Sequence, residues 1–219
     1  MARLLFEKTG EAVWISHLDL MRLFQRAFKR ADLHLTHTQG FNPRPSVSIA
    51  LPLSVGVESV CELLDFDLED CNVAVSDIAD RLNAALVKGV RVKEVYENAK
   101  KLKHLALLDA LLTLEYDGGV PEGAKDAISE LFTRDSLLVQ KKGKNGAVEQ
   151  DIIPMIKSVE VASPDDNTLG ISARVCCQNP SLNPMLLCAA VERYLPQYTP
   201  DFCKCKRLEL YDAENHVFR

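Results

Sequence analysis

Residues able to do chemistry concentrate in the run Thr36-His37-Thr38-Gln39-Gly40-Phe41-Asn42-Pro43-Arg44-Pro45. Gln39 and Asn42 carry amides that both donate and accept hydrogen bonds. Arg44 carries a guanidinium suited to bidentate phosphate contact. Phe41 offers a ring on which a splayed base can stack, and His37 adds an imidazole. Gly40, Pro43 and Pro45 punctuate the run, and Asn42-Pro43 is a turn-starting pair, so the pattern is that of a loop. Ordering such a loop costs entropy and returns little apolar burial. Loops on a rigid scaffold are where recognition tends to sit. The plainer reading is a tight connector anchored by a buried Phe41, and residue chemistry alone weighs the two equally.

A second set lies just upstream. Arg22, Arg26, Lys29 and Arg30 recur at helical spacing with no acid among them. Like charges at i, i+4 oppose a helix, so the stripe reads as an anion-binding face that joins the loop. The competing reading is a solvated face paired with acids such as Asp65 or Asp67. Within the set, Arg30 and Arg44 are the residues best placed to share a ligand, since Arg22 and Arg26 sit further back along the helix. His17, at the helix start and near Arg22 and the loop in this reading, has the chemistry of an acid or base acting on RNA. A structural hydrogen bond from His17 to the loop is the weightier alternative.

Other chemistry finds no pattern. The cysteines are Cys61, Cys71, Cys176, Cys177, Cys188, Cys203 and Cys205. None forms C-x-x-C or the three-cysteine cluster of an iron–sulfur centre. Cys203 and Cys205 can meet Cys176 and Cys177 at a metal only if their segments are neighbours; buried single thiols are the commoner case. The five histidines have no zinc spacing. No nucleophile elbow, P-loop or dinucleotide glycine fingerprint is present. The expectation is therefore no catalytic residue, no metal and no cofactor.

The elements that must position the loop read clearly. Arg3–Lys8 opens as a strand, and Ala12–Ile15 continues or pairs with it after Gly10. Ser16 caps a helix running to about Ala31, with Asp19 facing its dipole. Met21, Phe24, Phe28 and Ala31 make one apolar face. Ser46–Leu51 and Val60–Leu68 alternate as strands. Asn72 or Ser76 caps a second helix that Gly89 stops. Val90–Tyr96 is a further strand. The order is β-α-β-β-α-β, the ferredoxin-like pattern. After a basic link over Lys100–His104 the order recurs. Strands are expected at Leu111–Tyr116, Leu137–Gln140, within Val148–Val161 around Pro154, at Leu169–Cys176 and at Cys205–Tyr211. Helices are expected at 122–134 and Met185–Leu195, and a basic hairpin at Lys141–Gly146. The expected fold class is α+β, with tandem ferredoxin-like lobes at 1–104 and 105–219.

Bulk properties bound the function. The chain has 219 residues, 47% hydrophobic, enough for one large or two small domains with a core. No apolar run reaches membrane-span length. The N-terminus lacks a signal-type apolar region, and the cysteine pattern suits reduced thiols. A cytoplasmic, membrane-free protein is expected. Net charge is -5, which argues against a wholly basic nucleic-acid binder. Residues 1–50, however, carry seven Lys/Arg against four Asp/Glu. A local basic face still attracts phosphate, because screening limits distant charges to about 10 Å.

Several motifs carry a resemblance. They are Ser16-His17-Leu18-Asp19-Leu20-Met21-Arg22, Arg26-Ala27-Phe28-Lys29-Arg30-Ala31, Gln39–Pro45 and Leu51-Pro52-Leu53-Ser54-Val55-Gly56-Val57. Gln150–Ile156 and Asn183-Pro184 add to them. Together they resemble the radical-SAM-linked protein family of bacteria, over nearly the whole chain. Thr38 stands where that family usually has Ser, and Asn183 where it usually has Arg. Members are encoded beside, or fused behind, a radical SAM protein, often near a ribonuclease of the E/G class and ribosomal protein genes. The resemblance implies an accessory role in RNA or ribosome modification, with a radical SAM protein and an RNA (tRNA or rRNA) as partners. It supplies no catalytic residues.

The expected function is thus a non-catalytic RNA-binding or substrate-presenting accessory of a radical SAM enzyme. Its RNA site would draw on Arg22, Arg26, Arg30, Gln39, Phe41, Asn42 and Arg44. One alternative is a metal-independent endoribonuclease of tandem ferredoxin-like type using His17 or His37. It matches CRISPR-repeat endoribonucleases only in element order, and their C-terminal glycine-rich loop has no counterpart here. Another is a protein-interaction module in which Phe41 docks the radical SAM partner without RNA. The metal expectation is directly testable: anaerobically purified protein should carry no stoichiometric iron or zinc by elemental analysis, and one equivalent of either would overturn it.

Overall fold

Leu4 and Phe6 alternate with Arg3 and Leu5 along the first strand, and that alternation decides what each face of the first sheet buries. The computed structural model describes residues 2–70, 73–143 and 146–219. Among the described residues it is a mixed α+β structure with extensive sheet and four α-helices. The chain divides into two units, Met1–Leu102 with Arg219, and Lys103–Phe218.

The first unit runs β1 (Ala2–Lys8), α1 (His17–Arg30), β2 (Val47–Ile49), β3 (Glu58–Phe66), α2 (Val75–Ala85) and β4 (Val90–Tyr96). Its strands lie in the order β4-β1-β3-β2, each antiparallel to its neighbour. One sheet face presents Leu4, Phe6, Leu64 and Phe66 to Phe24 and Phe28 of α1 and to Ile78 and Leu82 of α2. Phe6 meets Phe24 edge-on at 4.8 Å, and Phe28 meets Phe66 at 5.0 Å between ring centroids. Each such side chain contributes about 1.5–3 kcal/mol on burial, which is what holds α1 on the sheet. The buried stripe of α1 is Leu20, Phe24, Ala27 and Phe28, so Met21 and Ala31 of the predicted face lie at its margin.

On the other face, Arg3 and Asp65 are direct cross-strand partners. The Arg3 guanidinium donates to both carboxylate oxygens of Asp65, and through Nη1 to Lys100 O at 2.9 Å. Arg3 is 2% exposed and Asp65 9%.

The second unit runs β5 (Leu105–Glu115), α3 (Ala124–Leu131), β6 (Leu138–Gly143), β7 (Gly146–Asp151), β8 (Ile156–Asp165), β9 (Thr168–Cys176), α4 (Met185–Tyr194) and β10 (Phe202–Asp212). Its antiparallel order is β10-β5-β9-β8, and β6 and β7 form a separate hairpin.

Several expectations need correction. Ala12–Ile15 is not a strand: Gly10–Trp14 forms a 3-10 helix, because Gly10 turns the chain at φ +57° and Lys8 Nζ holds the Val13 carbonyl at 3.0 Å. Ser76 does not cap α2. Ala74 occupies the cap with no side-chain bond, and the Ser76 hydroxyl donates to Asp77. The other proposed cap, Asn72, lies outside the described residues, as do Lys144 and Asn145 of the expected basic hairpin. The basic link contains a 3-10 turn at Leu102–His104, and β5 begins at Leu105 rather than Leu111. Pro154 divides the Val148–Val161 stretch into β7, a 3-10 turn at Ile153–Met155, and β8.

Two substitutions test this account. Arg3→Met should lower unfolding free energy by about 3–5 kcal/mol in urea titration, because it strands a buried carboxylate. The double variant Arg3→Met/Asp65→Leu should recover most of that loss; no recovery would show that Arg3 acts through its other contacts. Gly89 has φ +87°, and a Cβ there would meet Thr9 O at 2.4 Å. Gly89→Ala should therefore cost about 1–3 kcal/mol, and an unchanged urea midpoint would contradict the close approach of Gly89 to Thr9.

Candidate nucleic-acid interface

Between α1 and β2 the chain is tied down by two buried side chains, Leu33 and Leu35, and then by backbone bonds. Thr36 N donates to Asp67 O at 3.0 Å, and Asp67 N donates to Ser46 O at 3.2 Å. Ser46 N donates to Thr36 O at 2.8 Å, so both legs of the loop are tied to the residue after β3 and to each other. Higher up, His37 and Pro45 form an isolated antiparallel bridge. Thr38 N donates to Arg44 O at 2.8 Å, and Arg44 N donates to the Thr38 hydroxyl at 3.0 Å. A serine at position 38 would supply the same acceptor.

This ladder leaves Gln39–Arg44 as an exposed tip with Gly40 at φ +136°. Phe41 is fully exposed at 105% of its reference area. The reading of Phe41 as a buried anchor is thereby excluded. The side chains of Gln39, Asn42 and Arg44 make no hydrogen bond or ion pair among the described residues, so Asn42 does not cap its own turn. The tip offers two amides, one ring and one guanidinium, held on a backbone that is already hydrogen-bonded.

The helical arginines are placed differently from one another. Ser16 caps α1 by accepting from Asp19 N at 3.2 Å. Hydrogen bonds from Ser16 and then from Arg22 hold the Asp19 carboxyl below its usual range. Arg22 is thus paired within the first turn, 2.9 Å from Asp19. Arg26 and Lys29 are exposed and lack an ion pair among the described residues. Arg30 donates to Ala85 O at 2.7 Å, at the end of α2. Arg81 of α2 returns the contact, donating to Ala31 O and Asp32 O at the end of α1. Sequence pattern gave no sign of Arg81, because its partners are backbone carbonyls 49 and 50 positions away. Asp65 is held by Arg3 rather than by any member of the helical stripe.

His17 and the loop are far apart, which corrects the expectation that they adjoin. Gly56 N donates to Val13 O, which ties the chain before α1 to the approach of β3. The loop is tied to Asp67, beyond the other end of β3. Nine residues of strand separate these points, about 30 Å at 3.3 Å per residue. His17 is half-buried, with Nδ1 inaccessible and lacking a hydrogen-bond partner. His37 is exposed on the loop leg. The two histidines therefore do not share a site.

The second unit supplies no base-stacking platform on its central strands. β5 and β9 carry no aromatic residue, and sheet recognition of RNA relies on such rings. Asp109 of β5 instead accepts two bonds from Arg174 of β9, at 2.7 and 2.8 Å. Arg174 lies 4.0 Å over the Tyr211 ring. The late motifs are structural. Asp151 accepts from Leu137 N and Ile153 N, and Asn183 accepts from Met185 N at the start of α4.

The cysteine segments do not converge. Cys176 faces Leu107 and Cys205 faces Leu112, on opposite sides of β5 and about five residues apart along it. Among the described residues only Asp212, Glu214 and His216 bring three metal-type donors together. There Asp212 already accepts from the Glu214 and His216 amides. No helix of the described residues is long and apolar enough to cross a membrane.

Comparison with solved structures gives a likeness of fold. A chain in the crystal structure of a Cbf5-Nop10-Gar1 complex overlays with a TM-score of 0.54 at 9% identity, covering 95% of this chain and 48% of that one. A chain in the structure of an H/ACA RNP bound to a substrate RNA containing 2'-deoxyuridine gives 0.46 at 8% identity, with coverages of 94% and 46%. The chain thus spans about half the length of these solved chains. No curated protein matches the sequence. The model of a family described as uncharacterized protein conserved in bacteria (DUF2344) matches residues 2–184, and the chain belongs to that family.

Proposed function

We propose that this chain is a non-catalytic RNA-binding accessory that presents an RNA to a radical SAM enzyme. The observation that carries the reading is Phe41, fully exposed at the tip of a hydrogen-bonded loop, with Gln39, Asn42 and Arg44 beside it. A ring held open to water is costly for folding and useful for stacking. Amides read base edges, and an arginine without an internal partner suits phosphate. Arg44 is the principal phosphate contact, with Arg26 and Lys29 as outlying cations. Arg22 and Arg30 contribute less, because each has a partner within the fold.

The radical SAM partner enters through the sequence resemblance alone. We also read the two units as ferredoxin-like lobes divided near residue 104. The strand orders β4-β1-β3-β2 and β10-β5-β9-β8 support this, each placing the first and third sheet strands of its unit at the centre. The nuclease alternative rests on His17 or His37 acting singly, and the reading preferred here does not draw on either.

The test uses RNA that co-purifies with the protein, labelled and titrated by fluorescence anisotropy. Phe41→Ala should weaken binding by about 1–3 kcal/mol, the usual worth of one stacked base. Arg44→Ala should reduce the slope of log affinity against log salt by about one. Both positions are exposed, so the fold should survive. Unchanged affinity and slope in both variants would remove the loop from RNA binding and assign it to a protein partner.

A further inference from the structure

Two thiols of the second unit lie on facing elements. Cys188 belongs to the buried stripe of α4, with Leu187, Ala190 and Val191. α4 packs against β5. Along β10, exposed Lys204 separates Cys203 from buried Cys205, so the two cysteines share the inward side of the strand. Cys203 stands opposite Leu114 of β5, which is fully buried. Helix and strand thus turn these thiols toward each other, and the Cys188 and Cys203 side chains are hydrogen-bonded. Cys203 Sγ also lies 3.8 Å from Lys204 O. Cys188 Sγ lies 3.6 Å from a carboxylate oxygen of Glu192, one turn along α4. Cys188 is 2% exposed, whereas Cys203 is half-buried and open to a small solute.

The two sulfurs are unequal. Their hydrogen bond lowers the Cys203 thiol from its ordinary range and raises that of Cys188. Cys203 therefore ionises first, and the thiolate is the form that attacks an oxidant. Burial pushes the Cys177 and Cys205 thiols up to about 12, which keeps them protonated and inert. An accessible, readily ionised sulfur beside a second thiol is the arrangement that oxidises reversibly. We infer that Cys203 and Cys188 are a modification site, at which hydrogen peroxide converts the two thiols to a disulfide that staples α4 to β10. First, the Cys203 sulfur attacks one peroxide oxygen. An S–O bond forms, the O–O bond breaks, and the leaving hydroxide takes the proton that Cys203 released. The Cys188 sulfur then attacks the Cys203 sulfenic acid. An S–S bond forms and the S–O bond breaks, while the Cys188 proton passes by way of the Glu192 carboxylate to the departing hydroxide. Two thiols and one peroxide give one disulfide and two waters, with two electrons leaving the sulfur pair. Nothing in this chemistry depends on the loop's binding RNA.

The test starts from the full chain, reduced, freed of reductant and given hydrogen peroxide in small excess. Intact mass should fall by about 2 Da, the two hydrogens lost to a disulfide. Peptide mapping should find Cys188 joined to Cys203, and dithiothreitol should restore both thiols. Cys188→Ser should leave Cys203 as a sulfenic acid that dimedone traps. Cys203→Ser should leave Cys188 as a thiol under the same treatment. The wild-type mapping involves no substitution, so it decides the matter even where a variant is unstable. No loss of mass, a disulfide between other cysteines, or oxidation of another cysteine before Cys203 would overturn the inference. So would a Cys188→Ser protein in which dimedone finds no Cys203 sulfenic acid.

Discussion

The buried pair of Arg3 and Asp65 is the constraint from which the first unit takes its order. Two charges withdrawn from water are tolerated only when each meets the other with good geometry. Here both guanidinium edges are occupied, one by the Asp65 carboxylate and one by the Lys100 carbonyl. The pair also fixes register. A one-residue slip between β1 and β3 would turn Arg3 onto the face that holds Phe6 and Phe24, where no carboxylate waits. Because Asp65 lies two residues before Asp67, the same register decides where the loop is fastened.

The loop that results is ordered without a core of its own. Its stability comes from backbone bonds to Asp67 and from the Thr38 hydroxyl on the Arg44 amide. That arrangement leaves the side chains of Gln39, Phe41, Asn42 and Arg44 out of the bonds that hold the loop. A ligand meeting Gln39, Phe41, Asn42 and Arg44 would order side chains but little backbone, which removes a large part of the usual cost of binding. Asp67 follows β3 at the loop base and is not part of the tip, Gln39–Arg44. An acidic protein can therefore carry one locally suitable contact for an anion, provided that contact projects beyond the screening length of its neighbours.

Much of this was legible in the sequence, and the misses have physical causes. α1 was readable because Ser16, Asp19 and the apolar residues at 24 and 28 agree on one helix, and local signals dominate there. Gln39–Arg44 was readable as a loop from Gly40, Pro43 and Pro45. Its exposure was not, because whether Phe41 turns inward depends on the Asp67 anchor 26 positions away. Gly10–Trp14 was misread because Ala12, Val13, Trp14 and Ile15 have strand composition, while the competing bonds come from Lys8 and from the approach of Gly89. The start of β5 was missed because Leu105–Leu108 lacks the polar alternation that marks a half-exposed strand. His17 looked close to the loop because both flank α1 in sequence; the length of β3 sets the real separation.

The exchange of arginines between α1 and α2 has a consequence for motion. Arg30 holds the last carbonyl of α2, Ala85 O, and Arg81 holds those of Ala31 and Asp32, just past the end of α1. Helix ends ordinarily fray one at a time, each as a local event of low free energy. Here, unwinding the end of either helix removes the acceptor that the other helix's arginine uses, so the two ends loosen together. The final turns of α1 and α2 thus behave as one cooperative element, stitched by guanidinium groups that a lysine, with its single ammonium, could not replace at both Ala31 and Asp32 with the same planar geometry.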